Sequence, residues 1–494
     1  MGKYSVPAEI RACKPKGSMV KCIGGRYYVY ECSYSKVWVE DDEGNKRRKS
    51  VTNMGKCIGS ITLKDGFIPN NNKLSTNTIT CINYADYAFV IQSSERTLNL
   101  LKKHFNINDA NQIYVVAIIF FIEKFTHMKK VKCKYDFSYL SIAFPDASTG
   151  YDAIESLYSN LGSRTIPVEN FEQGLFDDSS GRVAIDGHVI ACTSEHNDLS
   201  EYGYKASKIG TAQINWMNAY DVVTKKPLLS HFCNGSDPDK TSVRELFEKY
   251  ELTNTEFCVD RGFNTKADKK LMSENGNSYI VPMISGRKDY EEVYSHMYFS
   301  KRNTFVYDKD GYSSLVYFHV FSGDGIKRIA YKDTTRQSAE RKTYIEKMKK
   351  GKKGFTKEGL AENEDNFGLF ILETCNVSLT PEEVFSHYKE RWTIETYYNY
   401  VKNDLDFNAL YQQKYSCLMG LGFIVTITGL IYYDIKEAVK DSGMKVKDVM
   451  ESLGKIKACL QGGKWRVHNT IKNSRDVCEK IGFELTESIS QLQM

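Results

Sequence analysis

At 494 residues the chain is too long for a single hydrophobic core, and its 41% apolar, 26% charged and 13% aromatic content excludes a disordered, collagen-like or low-complexity protein. Sixty-seven Lys and Arg against 62 Asp and Glu give a formal net charge of only +5, so what matters is where the positive charge sits. Thirteen cysteines, with no C-x2-C pair and no paired His spacing, exclude a zinc knuckle; with a polar, mixed N-terminus they read as reduced cysteines of a cytoplasmic protein.

Residues 1–85 read as a β-rich module. Arg26 to Glu40, RYYVYECSYSKVWVE, is aromatic and β-branched; the turn-forming DDEGN follows, then the basic KRRKSVTNMGKCIGSITL. This predicts a hairpin with a cationic rim at Lys46, Arg47, Arg48 and Lys49, which is either a solvated hairpin end or a contact for DNA phosphate. Residues 86–165 turn helical, with apolar residues at three- and four-residue spacing in ERTLNLLKKHF, NQIYVVAIIFFIEKF and GYDAIESLYSNL.

From 166 to 284 the pattern alternates between strand and helix. Strands are expected at Gly181 to Ala191, Gln213 to Tyr220, Pro227 to Cys233, Glu256 to Asp260 and Ser278 to Met283. Helices are expected at Thr241 to Tyr250, with Thr241 as N-cap, and at Thr265 to Asn275. The fold class is therefore α/β, a mixed sheet flanked by helices. Between 285 and 379 the alternation breaks into the strand-like NTFVYDKDG, SSLVYFHVFSG and NFGLFILETC around a charged middle, read as a β-rich insertion. Its segment Arg336 to Lys357 holds nine basic residues, Lys349, Lys350, Lys352 and Lys353 among them, against Glu340 and Glu346. Such one-sided charge points to nucleic acid; the bland reading is a solvated helix and loop.

Residues 380–440 form a second part of the core. Cys417 to Tyr433 is a run of 17 residues without charge, at the lower limit for a bilayer span; its glycines and threonines favour a buried helix and no membrane. Residues 441–494 read as helical. Loosely spaced His188, His196, His231, Cys192 and Cys233 match no metal pattern, and Tyr397, Tyr398 and Tyr400 read as helix packing.

The chemistry concentrates in SHYKERWTIETYYNYVKNDL, after the helix start Thr380-Pro381-Glu382-Glu383. At about 100° per residue, Tyr388, Arg391, Glu395 and Lys402 fall within about 60° of one another on a helix, beside an apolar stripe of Ile394, Val401 and Leu405. A carboxylate is thereby set among a phenol and two cations, an arrangement suited to a metal ligand flanked by phosphate-binding groups. Two further acids stand in or at the end of apolar strands, where an unpaired charge is costly: Asp186 in RVAIDGHVI and Asp260 in EFCVD.

The spaced signature Tyr388-x2-Arg391-x3-Glu395-x6-Lys402, in the local form YKERWTIE, with IDG at Asp186 and VDRGF at Asp260, resembles the DDE transposases of bacterial insertion sequences that carry the Tyr-Arg-Glu-Lys signature. The resemblance covers about 180 to 435. It implies a ribonuclease-H-like core interrupted by a β-rich insertion before the third acid. It implies that Asp186, Asp260 and Glu395 bind two Mg2+ ions, with Mn2+ able to substitute, and that Tyr388, Arg391 and Lys402 hold DNA phosphates.

It further implies double-stranded DNA as partner, both as the element's terminal inverted repeats and as target, with a homodimer in the synaptic complex and cut-and-paste movement without a high-energy cofactor. Residues 1–165 would then serve end recognition or dimerisation, in a cytoplasmic, nucleoid-associated protein. One departure stands out: some members stack a Trp of the insertion on a flipped base, whereas Trp38, Trp216, Trp392 and Trp465 all lie outside it. Tyr312, Tyr317 or Phe318 takes that place, or no base is flipped. Two competing readings are a structure-selective nuclease on the same core and a catalytically decayed or domesticated DNA-binding relative.

Overall fold

The structure is a computed structural model, and it describes residues 6–40, 46–64, 66–69, 81–194, 196–203, 210–237, 239–309, 311–461, 464–468 and 471–489. The chain divides into two compact units, one of residues 1–81 with 460–462 and one of the remainder.

In the first unit, β1 (Ser18–Ile23), β2 (Arg26–Glu40), β3 (Lys46–Thr62) and β4 (Gly66–Pro69) form an antiparallel sheet in sequence order. Ile10, Val29 and Ile61 make its small core. The expected hairpin is the β2–β3 pair, with Glu40 opposite Lys46. Its turn at 41–45 and the side chains of Lys46 and Arg47 lie outside the described residues; Arg48 and Lys49 are exposed on β3.

The second unit begins with β5 (Cys81–Asn83) and a run of helices from Ala85 to Asp177. At its centre lies the helix Tyr415–Val439, which contains the uncharged run. It is long and apolar enough to cross a membrane, but 78% of its apolar window is buried inside the fold. Glycines explain how it is packed so closely. A Cβ on Gly420 would come within 2.0 Å of the Tyr158 carbonyl oxygen, and one on Gly162 within 1.9 Å of the Ser416 carbonyl oxygen, so the helices Tyr151–Ser163 and Tyr415–Val439 cross backbone to backbone.

Against this helical layer stands a nine-stranded mixed sheet. Its strands are β6 (Arg182–Cys192), β7 (Ala212–Asp221), β8 (Lys226–Cys233), β9 (Glu256–Val259), β10 (Ser278–Pro282), β11 (Thr304–Lys309), β12 (Tyr312–Gly323), β13 (Ile326–Asp333) and β14 (Leu369–Thr374). The order is β11-β12-β13-β14-β10-β9-β6-β7-β8. β6, β9 and β10 run parallel, and β7 and β8 follow β6 antiparallel. The helix Asp239–Lys249 begins before Thr241, which is therefore inside it and not its N-cap. Thr265 does cap the helix Lys266–Leu271, accepting from the Asp268 N–H.

Two departures from the sequence reading have physical causes. The β strands of the insertion do not form a sheet of their own: β14 pairs with β10 and β13 with β14, so they cover the open edge of the core sheet and continue it. The C-terminal stretch holds helices Val446–Leu453 and Lys472–Lys480, but also β15 (Lys457–Gln461), β16 (Lys464–His468) and β17 (Ser488–Ile489). β16 alternates exposed and half-buried residues, and the Gly462-Gly463 pair in the sequence is the hairpin signal that could have found it.

Candidate functional site

The parallel pairing of β6 with β9 runs in register up to Ile185 opposite Val259. The next residue on each strand is an aspartate, so Asp186 and Asp260 occupy neighbouring positions about one strand spacing apart, roughly 4.8 Å between backbones. Asp260 sits where the strand ends and a short turn Arg261–Phe263 begins, and its carboxylate accepts from the Gly262 N–H at 2.6 Å. A Cβ on residue 262 would lie 2.8 Å from that carboxylate oxygen, so a larger residue there would displace the Asp260 side chain.

The segment with the third acid starts as expected. Thr380 caps the helix Pro381–Glu390 in a reciprocal capping box with Glu383. It then departs from one ideal helix. The chain passes through Arg391 into a second helix, Trp392–Asn399, and widens into a π-helical turn at Tyr400–Asp404 that contains Lys402. Around this turn Val401, Leu405 and Phe407 all reach the core, at 1%, 3% and 2% exposed.

Arg391 is the hub. It is 7% exposed, and one of its terminal nitrogens lies 3.4 Å from Glu395 Oε1. Burial opposes its charge; the phenol of Tyr388 and the carboxylates of Asp186, Glu395 and Asp260 more than restore it, leaving its pKa above the ordinary guanidinium value. Burial in turn pushes the Asp186 carboxyl up to about 6, with Arg391 pulling it down and Asp260 and Glu395 pushing it further up. Asp186 thus feels the other two acids, and all three act on one buried cation. Tyr388 packs against the core beneath the insertion, and its ring centroid is 5.8 Å from the Arg391 guanidinium.

Residues 178–416 match the family described as the transposase DDE domain. No curated protein matches the chain. A solved structure similar to it is a piggyBac transposase synaptic complex with hairpin DNA, at 12% identity and a TM-score of 0.38 over 71% of this chain and 70% of that one. A likeness so remote adds nothing to the chemistry of the site.

Within this matched segment, Lys402 reaches the acid-bearing strand through a partner not evident from the sequence. Its Nζ lies 2.8 Å from Nε2 of His188, two residues beyond Asp186 on β6. Tyr398, read from the sequence as helix packing, also donates its hydroxyl to the Asp186 carbonyl at 2.6 Å and fastens the helix to the strand. The period of two along IDGH could have suggested His188, since alternate residues of a strand share a face.

The three carboxylates offer only hard oxygen donors and concentrate negative charge, so in kind they suit a divalent cation such as magnesium. Among the described residues, no group of three or more His, Cys, Asp and Glu side chains is already gathered around one ion position. The positive charge beside them is that of Arg391.

The remaining candidates lie apart from these contacts. Lys349 closes the helix Thr334–Lys349, which buries none of its residues, and Lys350, Lys352 and Lys353 follow it, all four exposed. Tyr312 donates to Asp333 at 2.6 Å and lies under Lys389, 4.0 Å from its ring centroid, while Phe318 packs into the core. Neither ring is open for stacking in this arrangement.

Proposed function

We propose that the chain is a DNA transposase of an insertion sequence, which binds terminal inverted repeats and cleaves and joins DNA strands by metal-dependent phosphoryl transfer in cut-and-paste movement. The observation that carries this reading is the register of β6 and β9, which sets Asp186 beside Asp260 within electrostatic reach of Glu395 and Arg391. The strand order β8-β7-β6-β9-β10, three antiparallel strands and then two parallel ones, supports a ribonuclease-H-like core.

In this reading Asp186, Asp260 and Glu395 hold two divalent ions, Mg2+ or Mn2+. Bound there, the ions would supply activation of a water or 3′-hydroxyl and stabilisation of the leaving oxygen. The chain's own part is binding and orientation. Arg391, kept charged by its neighbours, offers a planar fork to two phosphate oxygens, and Lys402 adds a point charge steadied by His188. Tyr388 backs Arg391 from the insertion side. The exposed Lys349, Lys350, Lys352 and Lys353 neutralise phosphates farther along the duplex, with Arg48 and Lys49 of the N-terminal sheet as further contacts. The partners are terminal-repeat and target DNA, the working assembly is a homodimer that pairs two ends, and the setting is the cytoplasm, on the nucleoid.

The test is magnesium-dependent cleavage of a duplex carrying the gene's own flanking DNA. Wild type is expected to nick it at defined positions, and Glu395→Ala to lose nicking while keeping affinity for the duplex. A second reading is a decayed or domesticated DNA-binding relative. Binding without cleavage in either Mg2+ or Mn2+ would decide for it.

A further inference from the structure

A cavity of about 350 Å3 opens beside Asp260, and several separate segments contribute its walls. Arg261 comes from the turn after β9, Tyr388 and Arg391 from the signature segment, and Arg336 and Phe370 from the insertion. Its charged lining is three guanidinium groups against the single carboxylate of Asp260. That carboxylate is already engaged by the Gly262 N–H. Like charges brought together around a concave site call for an anion between them, and guanidinium matches the geometry of phosphate oxygens.

Arg336 is held in advance of any ligand. It stands in the first turn of the helix Thr334–Lys349, whose N-cap Asp333 is fully buried and accepts from the Thr335 and Arg336 N–H groups. Its Nε donates to Glu340 Oε1 at 2.7 Å, and its guanidinium lies 4.9 Å from the Phe370 ring centroid. Glu340 is itself fixed, its other oxygen accepting from the Gly368 N–H at 2.8 Å. Among the described residues, the terminal nitrogens of Arg336 have no hydrogen-bond partner. The Arg336 side chain is 42% exposed, so these nitrogens are open to solvent, whereas the Nε–H of Arg391 is buried without a partner, on a residue only 7% exposed. A buried donor without an acceptor is costly, and a ligand oxygen would satisfy it.

We infer that this cavity is a subsite for one phosphodiester of the DNA strand held at the acids, gripped by Arg336 and Arg261 together with Arg391. The inference rests on the reading of the chain as a DNA-cleaving transposase and adds two residues, Arg336 and Arg261, to it. The volume is at the small end of ligand sites, about 300–1,000 Å3, and suits a single nucleotide unit. Tyr290 and Phe370 supply flat apolar wall beside the cations. The arrangement also links the two charged regions of the domain. The helix that presents Arg336 at the acids ends about 20 Å away at the exposed Lys349, so a strand gripped at one end would be guided along the other.

The experiment uses the full chain and a duplex of the gene's flanking DNA, comparing wild type, Arg336→Ala, Arg336→Lys and, as control, Lys440→Ala on the distant helix end. Affinity is measured across a salt series and cleavage at saturating DNA. Arg336→Ala is expected to reduce the slope of log affinity against log salt by about 0.9, one phosphate contact, and to slow cleavage roughly tenfold or more. Arg336→Lys should recover the slope but only part of the rate, and Lys440→Ala should match wild type.

A scan of single methylphosphonates through the cleaved strand supplies the second measurement. One position is expected to weaken wild type and to leave Arg336→Ala unaffected. If Arg336→Ala keeps the wild-type slope and rate, or if every neutralised position weakens the two proteins equally, the subsite is wrong. Should Arg336→Ala fail to fold, the same scan on Arg336→Lys decides. Saturable protection of the cavity by inorganic phosphate, with no change in DNA slope, would also overturn it by assigning the site to a free anion. Absence of cleavage by wild type would instead reject the underlying reading, and is told apart by the salt slope.

Discussion

Lys402 Nζ lies 2.8 Å from His188 Nε2, and that contact joins the end of the signature segment to the strand that bears Asp186. The ammonium has only donors, so the imidazole nitrogen facing it accepts. The pair therefore fixes both the direction of the lysine and the tautomer of the histidine.

His188 accordingly acts as a positioning residue for Lys402 under the proposed function. His188→Ala is expected to slow DNA cleavage about tenfold with affinity changed less than about threefold, while His188→Gln, which keeps an acceptor, retains most of the rate. The discriminating measurement is a double-mutant cycle. In a Lys402→Ala background, removal of His188 should have little further effect; additive losses would show that the two side chains work separately.

Asp186 is placed against stability. Burial holds its carboxyl near 6, above the ordinary 3.8, so the native state binds an extra proton between about pH 4 and pH 6. The group's contribution to stability then declines as pH rises through that window and stays low above it. Asp186→Asn removes the cost. It should stabilise the metal-free protein by on the order of 1–3 kcal/mol at pH 7.5 and by nearly nothing at pH 4, while abolishing cleavage. Urea unfolding at the two pH values checks this, and an Asn variant less stable than wild type at pH 7.5 would refute it.

Gly420 carries the contact between the long buried helix and its neighbour. A Cβ there would meet the Tyr158 carbonyl oxygen at 2.0 Å and its carbon at 2.7 Å, both backbone atoms that cannot turn aside. Gly420→Ala is expected to cost at least 1–3 kcal/mol, with loss of soluble folded protein as the extreme. Gly323→Ala, whose Cβ would meet nothing within 4 Å, should change stability by less than about 0.5 kcal/mol. Denaturant midpoints of the two variants give the comparison.

Much of the site could be read along the chain because its signals are local. An acid interrupting an apolar run marked Asp186, an acid closing one marked Asp260, and Thr380 with Glu383 announced the helix that leads to Glu395. The same holds for the apolar stripe of Ile394, Val401 and Leu405, all of which are buried at 3% exposed or less. Periodicity, capping and the cost of an unpaired charge in a strand operate within a few residues, so they are written in adjacent letters. What depends on distant segments was not legible there.

Whether β13 and β14 would build a separate sheet or extend the core was decided by the unsatisfied edge of β10, whose backbone hydrogen bonds carry no side-chain code. His188 became Lys402's partner, and Arg336 a wall of the cavity beside Asp260, only once strand, signature segment and insertion were packed together. The sequence by itself determined which side chains could do chemistry and on which kind of element each would stand. Only the tertiary structure decided which of them meet, because register, edge pairing and the burial of Arg391 among three carboxylates arise from contacts between residues far apart in the chain.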